Sequence, residues 1–158
     1  MKVYDNYSLL HHNTFGIDAK CRQLVEIDSI HDAVDNLPRV ASTDLPLKVI
    51  GGGSNLLLTK DFDGIVIKSR LTDARIITSG LDSERKDTDP VFVTAGSGVR
   101  FDFLVAETLR HGIYGLENLS NIPGDVGASA VQNIGAYGVE IKDVLEHLFA
   151  VEIKTGKE

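Results

Sequence analysis

The chain has no tryptophan and a single cysteine, Cys21, in 158 residues. One thiol excludes an intrachain disulfide, and the five scattered histidines add no metal-ligand spacing, so the sequence holds no candidate metal site. A reducing compartment fits this cysteine usage. Long hydrophobic runs are missing too: none approaches the roughly 20 residues of a membrane helix. The polar start Met1-Lys2-Val3-Tyr4-Asp5 lacks a secretory apolar region, and together these absences read as a cytoplasmic chain with no membrane partner. Positive charge is scarce as well. Sixteen Lys and Arg stand against 23 Asp and Glu, for a net charge of −7, and the basic clusters that neutralise a nucleic-acid backbone are absent. The surplus of acid reads simply as solubility.

What is present is enough for a core: 42% of the residues are hydrophobic, which suits one ordinary domain or two small lobes sharing an interface. Leu24-Val25-Glu26-Ile27 has strand composition. Ser29 follows as an N-cap, with Asp32 where a capping box usually has Glu or Gln, and Ile30, Ala33, Val34 and Leu37 recur at helical spacing. Pro38 is expected to close that helix, because its ring cannot continue one. Pro46 to Ile50 reads as a second strand, so residues 23–50 form a βαβ-like unit.

Gly64 to Lys68 is a further strand, and Ala74 to Thr78 and Val91 to Ala95 flank the charged stretch Leu81 to Pro90, expected to be a solvated hairpin loop. Phe101, Leu104, Val105 and Leu109 lie on one helix face that Gly112 terminates. Residues 113–138 are rich in glycine and small side chains and predict a loop with short helical turns. Val144 to Lys154 returns to strand composition, and Thr155-Gly156-Lys157 is a turn with no following strand to receive it, as in a hairpin cut short. The best lobe boundary is near Ser69 to Thr72, giving lobes 1–70 and 71–158.

Two glycine-rich segments about seventy residues apart carry the chemistry: Gly51-Gly52-Gly53-Ser54-Asn55 at a strand end, and Ile122-Pro123-Gly124-Asp125-Val126-Gly127-Ala128-Ser129. Without a Cβ, glycine lets backbone N–H groups approach a phosphate, and two such loops suit a diphosphate held between lobes. The first is no dinucleotide fingerprint, since Leu56 stands where the last glycine belongs, and it lacks the Lys-Ser/Thr of a P-loop. By itself it is equally a tight strand-exit turn. The Ser-Asn pair favours binding, because a hydroxyl and a carboxamide extend a donor set that adds no charge. The second segment reads either as an anion site at a helix N-terminus or as close packing through small residues.

Gln132-Asn133-Ile134-Gly135-Ala136-Tyr137-Gly138 offers two carboxamides and a phenol, to meet the polar edge of a heteroaromatic ring or to cap a turn. Asn13-Thr14-Phe15-Gly16 reads as an arm over the sheet anchored by Phe15. His11-His12 is read as an exposed polar pair, and Glu107, Glu117 and Glu140 as solvated or capping carboxylates. No nucleophile triad is present.

Taken in order and spacing, Asn13-Thr14-Phe15-Gly16, Gly51-Gly52-Gly53-Ser54-Asn55, Gly115-Leu116-Glu117-Asn118-Leu119, Ile122-Pro123-Gly124-Asp125-Val126-Gly127 and Gln132 to Gly138 resemble the UDP-N-acetylenolpyruvoylglucosamine reductase (UDP-N-acetylmuramate dehydrogenase) family. The resemblance covers nearly the whole chain and matches that family's N-terminal, FAD-binding part. It implies an α+β fold of the vanillyl-alcohol-oxidase-like, PCMH type, with FAD between two lobes and the substrate domain absent. It also implies NADPH as hydride donor and a UDP-sugar substrate.

By resemblance, Gly51, Gly52, Gly53, Ser54 and Asn55 contact the diphosphate. Ile122, Pro123, Gly124, Gly127, Ala128, Ser129, Asn133, Ile134 and Gly138 line the rest of the channel. Ala128 and Ala130 depart from the family, whose members often have Ser or Gly and Pro there, and a hydroxyl contact at Ala128 is lost. The family's catalytic Ser, Glu and Arg match nothing up to Glu158, so the resemblance implies no catalytic residue here and no complete reaction from this chain alone. A different FAD-dependent oxidoreductase of the same fold and a non-catalytic nucleotide-binding module are the alternatives.

Overall fold

The computed structural model describes residues 1–78 and 91–158, so the predicted loop Leu81 to Pro90 lies outside the described residues. Four strands form the main sheet: β1 (Lys2–Ser8), β2 (Lys20–Ile27), β3 (Leu47–Ile50) and β4 (Phe62–Ser69), in the order β1-β2-β4-β3. β1 runs antiparallel to β2, while β2 and β3 both run parallel to β4. The predicted βαβ-like unit is therefore opened by one place: helix α1 (Ile30–Ala41) carries the chain from β2 past a gap that β4 fills. That insertion puts β3 at the sheet edge, and with it the first glycine loop.

Both faces of the central strands are covered, which is why β2 and β4 read as apolar runs. Alternation divides them, with a register shift between Cys21 and Gln23 moving Cys21 to the face of Leu24. Val25, Ile27, Ile65 and Ile67 face α1 and pack on Ala33 and Leu37, while Cys21, Leu24 and Val66 face the other way with Leu9 and Ile50. β1 was not legible in the sequence because it is an edge strand, exposed along most of its length.

α1 starts where its cap requires, the Asp32 N–H donating to Ser29 Oγ at 3.0 Å. It does not stop at Pro38: the helix continues to Ala41, with the Ser42 N–H donating to the Pro38 carbonyl at 3.0 Å. Proline removes the N–H that would meet the Val34 carbonyl. That carbonyl is covered instead by the turn at Gly156, where a Cβ would lie 2.5 Å from Val34 O and 3.2 Å from Pro38 Cγ.

The second part of the chain holds the antiparallel pair β5 (Ala74–Thr78) and β6 (Val91–Ala95), then α2 (Phe101–Arg110), α3 (Val126–Gln132) and the short pair β7 (Gly135–Ala136) and β8 (Val139–Glu140). Phe101 and Val105 of α2 bury against Leu119 and Ile141. Thr108, not the predicted Leu109, completes the buried face, its hydroxyl donating to the Val105 carbonyl at 2.8 Å. α2 ends as expected at Gly112: the Gly112 and Ile113 N–H groups donate to the Leu109 and Thr108 carbonyls, a paired closure that needs the φ of +67° found at Gly112.

The strand expected over Val144 to Lys154 is not formed. A short 3-10 turn, Ile141–Asp143, is followed by extended chain and a turn closed by the Gly156 N–H on the Glu152 carbonyl at 2.8 Å. Strand composition makes a strand only beside a partner, and among the described residues no sheet edge pairs with this segment. Val151 and Ile153 instead pack against the α1 core, returning the end of the chain to its first half, while Phe149 is 87% exposed.

Candidate functional site

The site begins with the N-terminal arm. Asn13 is buried, its Nδ2 donating to the carbonyls of Leu9 at 2.7 Å and Ile17 at 2.9 Å while its Oδ1 accepts the Ile17 N–H at 2.9 Å. It fixes residues 9–17 as a closed loop. Phe15, the expected anchor, is 65% exposed, so the anchor is the carboxamide two residues before it. A short polar side chain satisfies three backbone groups at once, which an aromatic ring cannot do.

The arm in turn shapes the first glycine loop. The Thr14 N–H donates to the Gly53 carbonyl at 3.3 Å, and Gly53 has a φ of +73°. A Cβ at this position would lie 2.0 Å from the His12 carbonyl oxygen. Only glycine fits between the arm and the sheet edge. Beyond Ile50 the parallel ladder has ended, and among the described residues none of the backbone N–H groups of Gly51 to Asn55 meets an acceptor. Five consecutive donors are left available.

The second segment faces the first at close range. A Cβ on Gly51 would lie 2.9 Å from the Ala128 Cβ, and one on Gly52 would lie 3.2 Å from the Gly124 Cα. Two side chains bridge the segments: Ser54 Oγ donates to the Pro123 carbonyl at 3.0 Å, and Asn55 Nδ2 donates to Gln132 Oε1 at 2.9 Å. The small residues therefore serve contact between loops.

The anion-binding reading of the second helix start is not met. α3 has seven residues, and its first amides are engaged: Val126 donates to Val99 O at 2.8 Å, Gly127 to Ser97 O at 3.0 Å, and Ala128 and Ser129 to Asp125 O at 3.0 and 3.1 Å. The alternative, close packing, is what the structure contains, since a Cβ on Gly127 would lie 2.7 Å from the Ser97 Cβ.

Between the two segments lies a cleft of about 260 Å³ lined by Ser54 and Asn55 on one side and by Ile122, Pro123, Gly124, Ala128, Ser129 and Ile134 on the other. Gly51, Gly52 and Gly53 form the turn that carries the first side, and Gly127 sits behind the second against Ser97. Asn133 and Gly138 are not in the cleft. They border a neighbouring shallow surface, where Asn133 ends α3 in the left-handed conformation and its Oδ1 accepts the Lys142 N–H at 3.3 Å.

Phe101, Asp125 and Gln132 also line the cleft. Gln132 was visible as a polar group in the glycine-rich run. Phe101 carried the signal of a core residue, and Asp125 that of a turn.

The cleft's electrostatics rest on one pair. Lys68, at the end of β4, donates from Nζ to the Gly51 carbonyl at 2.8 Å and lies 3.7 Å from Asp125 Oδ2, both side chains about nine-tenths buried. The same Lys68 acts on His12, whose imidazole is held below its ordinary pKa by burial first and by that neighbouring cation second. The Glu117 carboxyl is lowered by the Gly115 N–H it accepts, and Glu140 by its bond with Lys142. Both carboxylates thus stabilise local turns, as the sequence indicated.

The donors the first loop leaves free for an anionic group such as a phosphate are its five backbone amides without acceptors, with the Lys68 cation buried nearby. The cleft volume is below the roughly 300–1,000 Å³ of ordinary ligand pockets.

An α+β chain whose two parts meet at facing glycine loops defines a cofactor-binding domain of the PCMH type. The chain belongs to the FAD binding domain family, whose sequence model matches residues 22–158. It is similar to the UDP-N-acetylenolpyruvoylglucosamine reductase of Burkholderia cenocepacia (strain HI2424), at 43% identity over 99% of this chain, and to that of Burkholderia ambifaria (strain AMMD), at 45% identity over the same share. It spans 43% of the length of each of these relatives. Among solved structures it is similar to the UDP-N-acetylenolpyruvylglucosamine reductase from Thermus caldophilus, with a TM-score of 0.63 at 26% identity, covering 90% of this chain and 46% of that one. Among the described residues no helix is long and apolar enough to cross a membrane, and no cluster of metal-ligating side chains occurs.

Proposed function

We propose that this chain is the FAD-binding part of a cytoplasmic reductase that uses NADPH to convert UDP-N-acetylenolpyruvoylglucosamine to UDP-N-acetylmuramate, a step in building the bacterial cell wall. The observation that carries the proposal is the run of amides from Gly51 to Asn55, left without acceptors in the loop whose Ser54 and Asn55 line the cleft. The lobes are 1–70 and 71–158. When bound, FAD would supply the chemistry of hydride transfer between the nicotinamide and the substrate double bond.

In this reading the chain's own residues bind and orient. Gly51, Gly52 and Gly53 present amides to the diphosphate, and Ser54 and Asn55 reach it from the same turn. Ile122, Pro123, Gly124, Ala128, Ser129 and Ile134 hold the portion of the cofactor inside the cleft, with Gly127 setting the approach of α3. Asn133 and Gly138 meet whatever extends onto the neighbouring surface. No residue here is assigned a proton-transfer role. The carboxylates that could serve one, Glu107, Glu117 and Glu140, are committed to Arg110, the Gly115 amide and Lys142.

The experiment is an absorption spectrum of the purified chain after FAD is added and the sample desalted. Retained flavin bands, lost in a Gly53→Ala variant, are the expected result. No retention at any protein concentration would withdraw the cofactor reading.

A further inference from the structure

Asp125 stands out because the other residues of the two glycine segments are uncharged, and Lys68 of β4 is its ion-pair partner. Asp125 lines the cleft and brings a full negative charge to a place read here as a diphosphate site. Its carboxylate is about nine-tenths buried, within 3.7 Å of where a Cβ on Gly51 or Gly52 would be, so it packs directly against the first glycine loop. A like charge so placed opposes an anionic ligand, and burial weakens the screening that would hide it.

Lys68 answers that charge from the other lobe. It reaches from β4 beneath the first loop, and its ammonium touches both the Gly51 carbonyl and the Asp125 carboxylate. It does not line the cleft. It therefore acts on a ligand without touching it, through its charge and through the groups it holds.

We propose that Lys68 is a positioning residue that neutralises Asp125 and fixes the Gly51 carbonyl, so that the cleft between the two glycine loops accepts a diphosphate. The proposal rests on the dinucleotide reading above and deepens it: affinity for the diphosphate portion of the ligand is set by a charge pair joining the two lobes. Neutralising the two members separately has opposite effects. Lys68→Met leaves Asp125 uncompensated and weakens diphosphate ligands, roughly tenfold for a charge at this range in a partly screened site. Asp125→Asn leaves Lys68 uncompensated and strengthens them by a similar factor. The double variant returns close to the parent, because neither charge remains.

The test is titration of the chain and of the Lys68→Met, Asp125→Asn and double variants with FAD, ADP and riboflavin, each variant first checked for a cooperative thermal transition. FAD and ADP carry the diphosphate and riboflavin does not. The expected result is a fall for Lys68→Met, a rise for Asp125→Asn and recovery in the double variant for FAD and ADP, with riboflavin unmoved. If both single variants weaken all three ligands alike, the pair is a structural strut only and the proposal fails while the cofactor reading stands. If the parent chain binds none of the three, both fail together. Should Lys68→Met not fold, the sign of the Asp125→Asn change on FAD against riboflavin decides the matter, since a strut predicts weakening.

Discussion

Replacing Gly53 with alanine tests how the cleft is built, and Gly16 supplies the internal control. Both glycines have positive φ, +73° and +63°, so an alanine at either pays about 1–2 kcal/mol for a left-handed backbone. They differ in what surrounds them. A Cβ at Gly16 meets nothing within 4 Å, whereas one at Gly53 lies 2.0 Å from the His12 carbonyl oxygen and 2.9 Å from the Asn13 Cα. Those are backbone atoms of a loop pinned by three hydrogen bonds to Asn13, so relief requires moving the arm.

Overpacking of this kind adds about 1–3 kcal/mol. Loss of the bond from the Thr14 N–H to the Gly53 carbonyl adds about 1 kcal/mol more. Gly53→Ala should therefore destabilise by about 3–6 kcal/mol and Gly16→Ala by about 1–2 kcal/mol. Against a total of about 5–15 kcal/mol for a domain, the first is severe and the second mild. Urea unfolding followed by far-ultraviolet circular dichroism measures both. Equal losses for the two variants would refute the argument that the arm, rather than backbone conformation alone, demands glycine at this position.

Asn13→Ala removes a side chain that satisfies three buried or half-buried backbone groups, and a loss of about 2–4 kcal/mol is expected in the same unfolding experiment. The His12 imidazole is depressed below its ordinary pKa by burial and by Lys68, so the unfolded chain takes up the proton first as pH falls. Its contribution to stability is complete above the ordinary histidine pKa and is lost as pH falls through the lower folded value. An NMR titration of the ring should find the midpoint depressed, and Lys68→Met should raise it. Ser54→Ala breaks an exposed bond to Pro123 and should change stability by no more than about 1 kcal/mol, read as a small shift in the urea midpoint. Phe149→Ser should stay within about 0.5 kcal/mol of the parent, because that ring is 87% exposed on a segment outside any sheet.

Local signals were readable in the sequence and long-range ones were not. Ser29 announced α1 because a cap is a matter of three neighbouring residues. Gly112 announced the end of α2 for the same reason. Pro38 misled because the carbonyl it orphans is covered by a turn more than a hundred residues later, at Gly156. Val144 to Lys154 misled because strand composition says nothing of whether an edge awaits it.

In the site, the glycine runs and the Ser54-Asn55 pair were legible as a loop of donors. The sequence left the second segment open between an anion site and close packing, because Ser97 and Val99, which engage the α3 amides, precede the helix by about thirty residues. Lys68 escaped notice as a lysine at the end of an apolar strand, where a solvated side chain is the ordinary expectation.

The bridges Ser54 to Pro123 and Asn55 to Gln132 join positions 69 and 77 residues apart, and both are exposed. Neither wall of the cleft is complete without the other, so a ligand spanning it recognises only chains in which both halves have folded and met. Such a ligand stabilises both sides of the cleft together, raising the unfolding midpoint by mass action, and would draw their melting together if the two parts unfold separately. Heating the chain with increasing ligand, while following α1 and α2 separately, would then convert a local contact into a measure of cooperativity across the whole molecule.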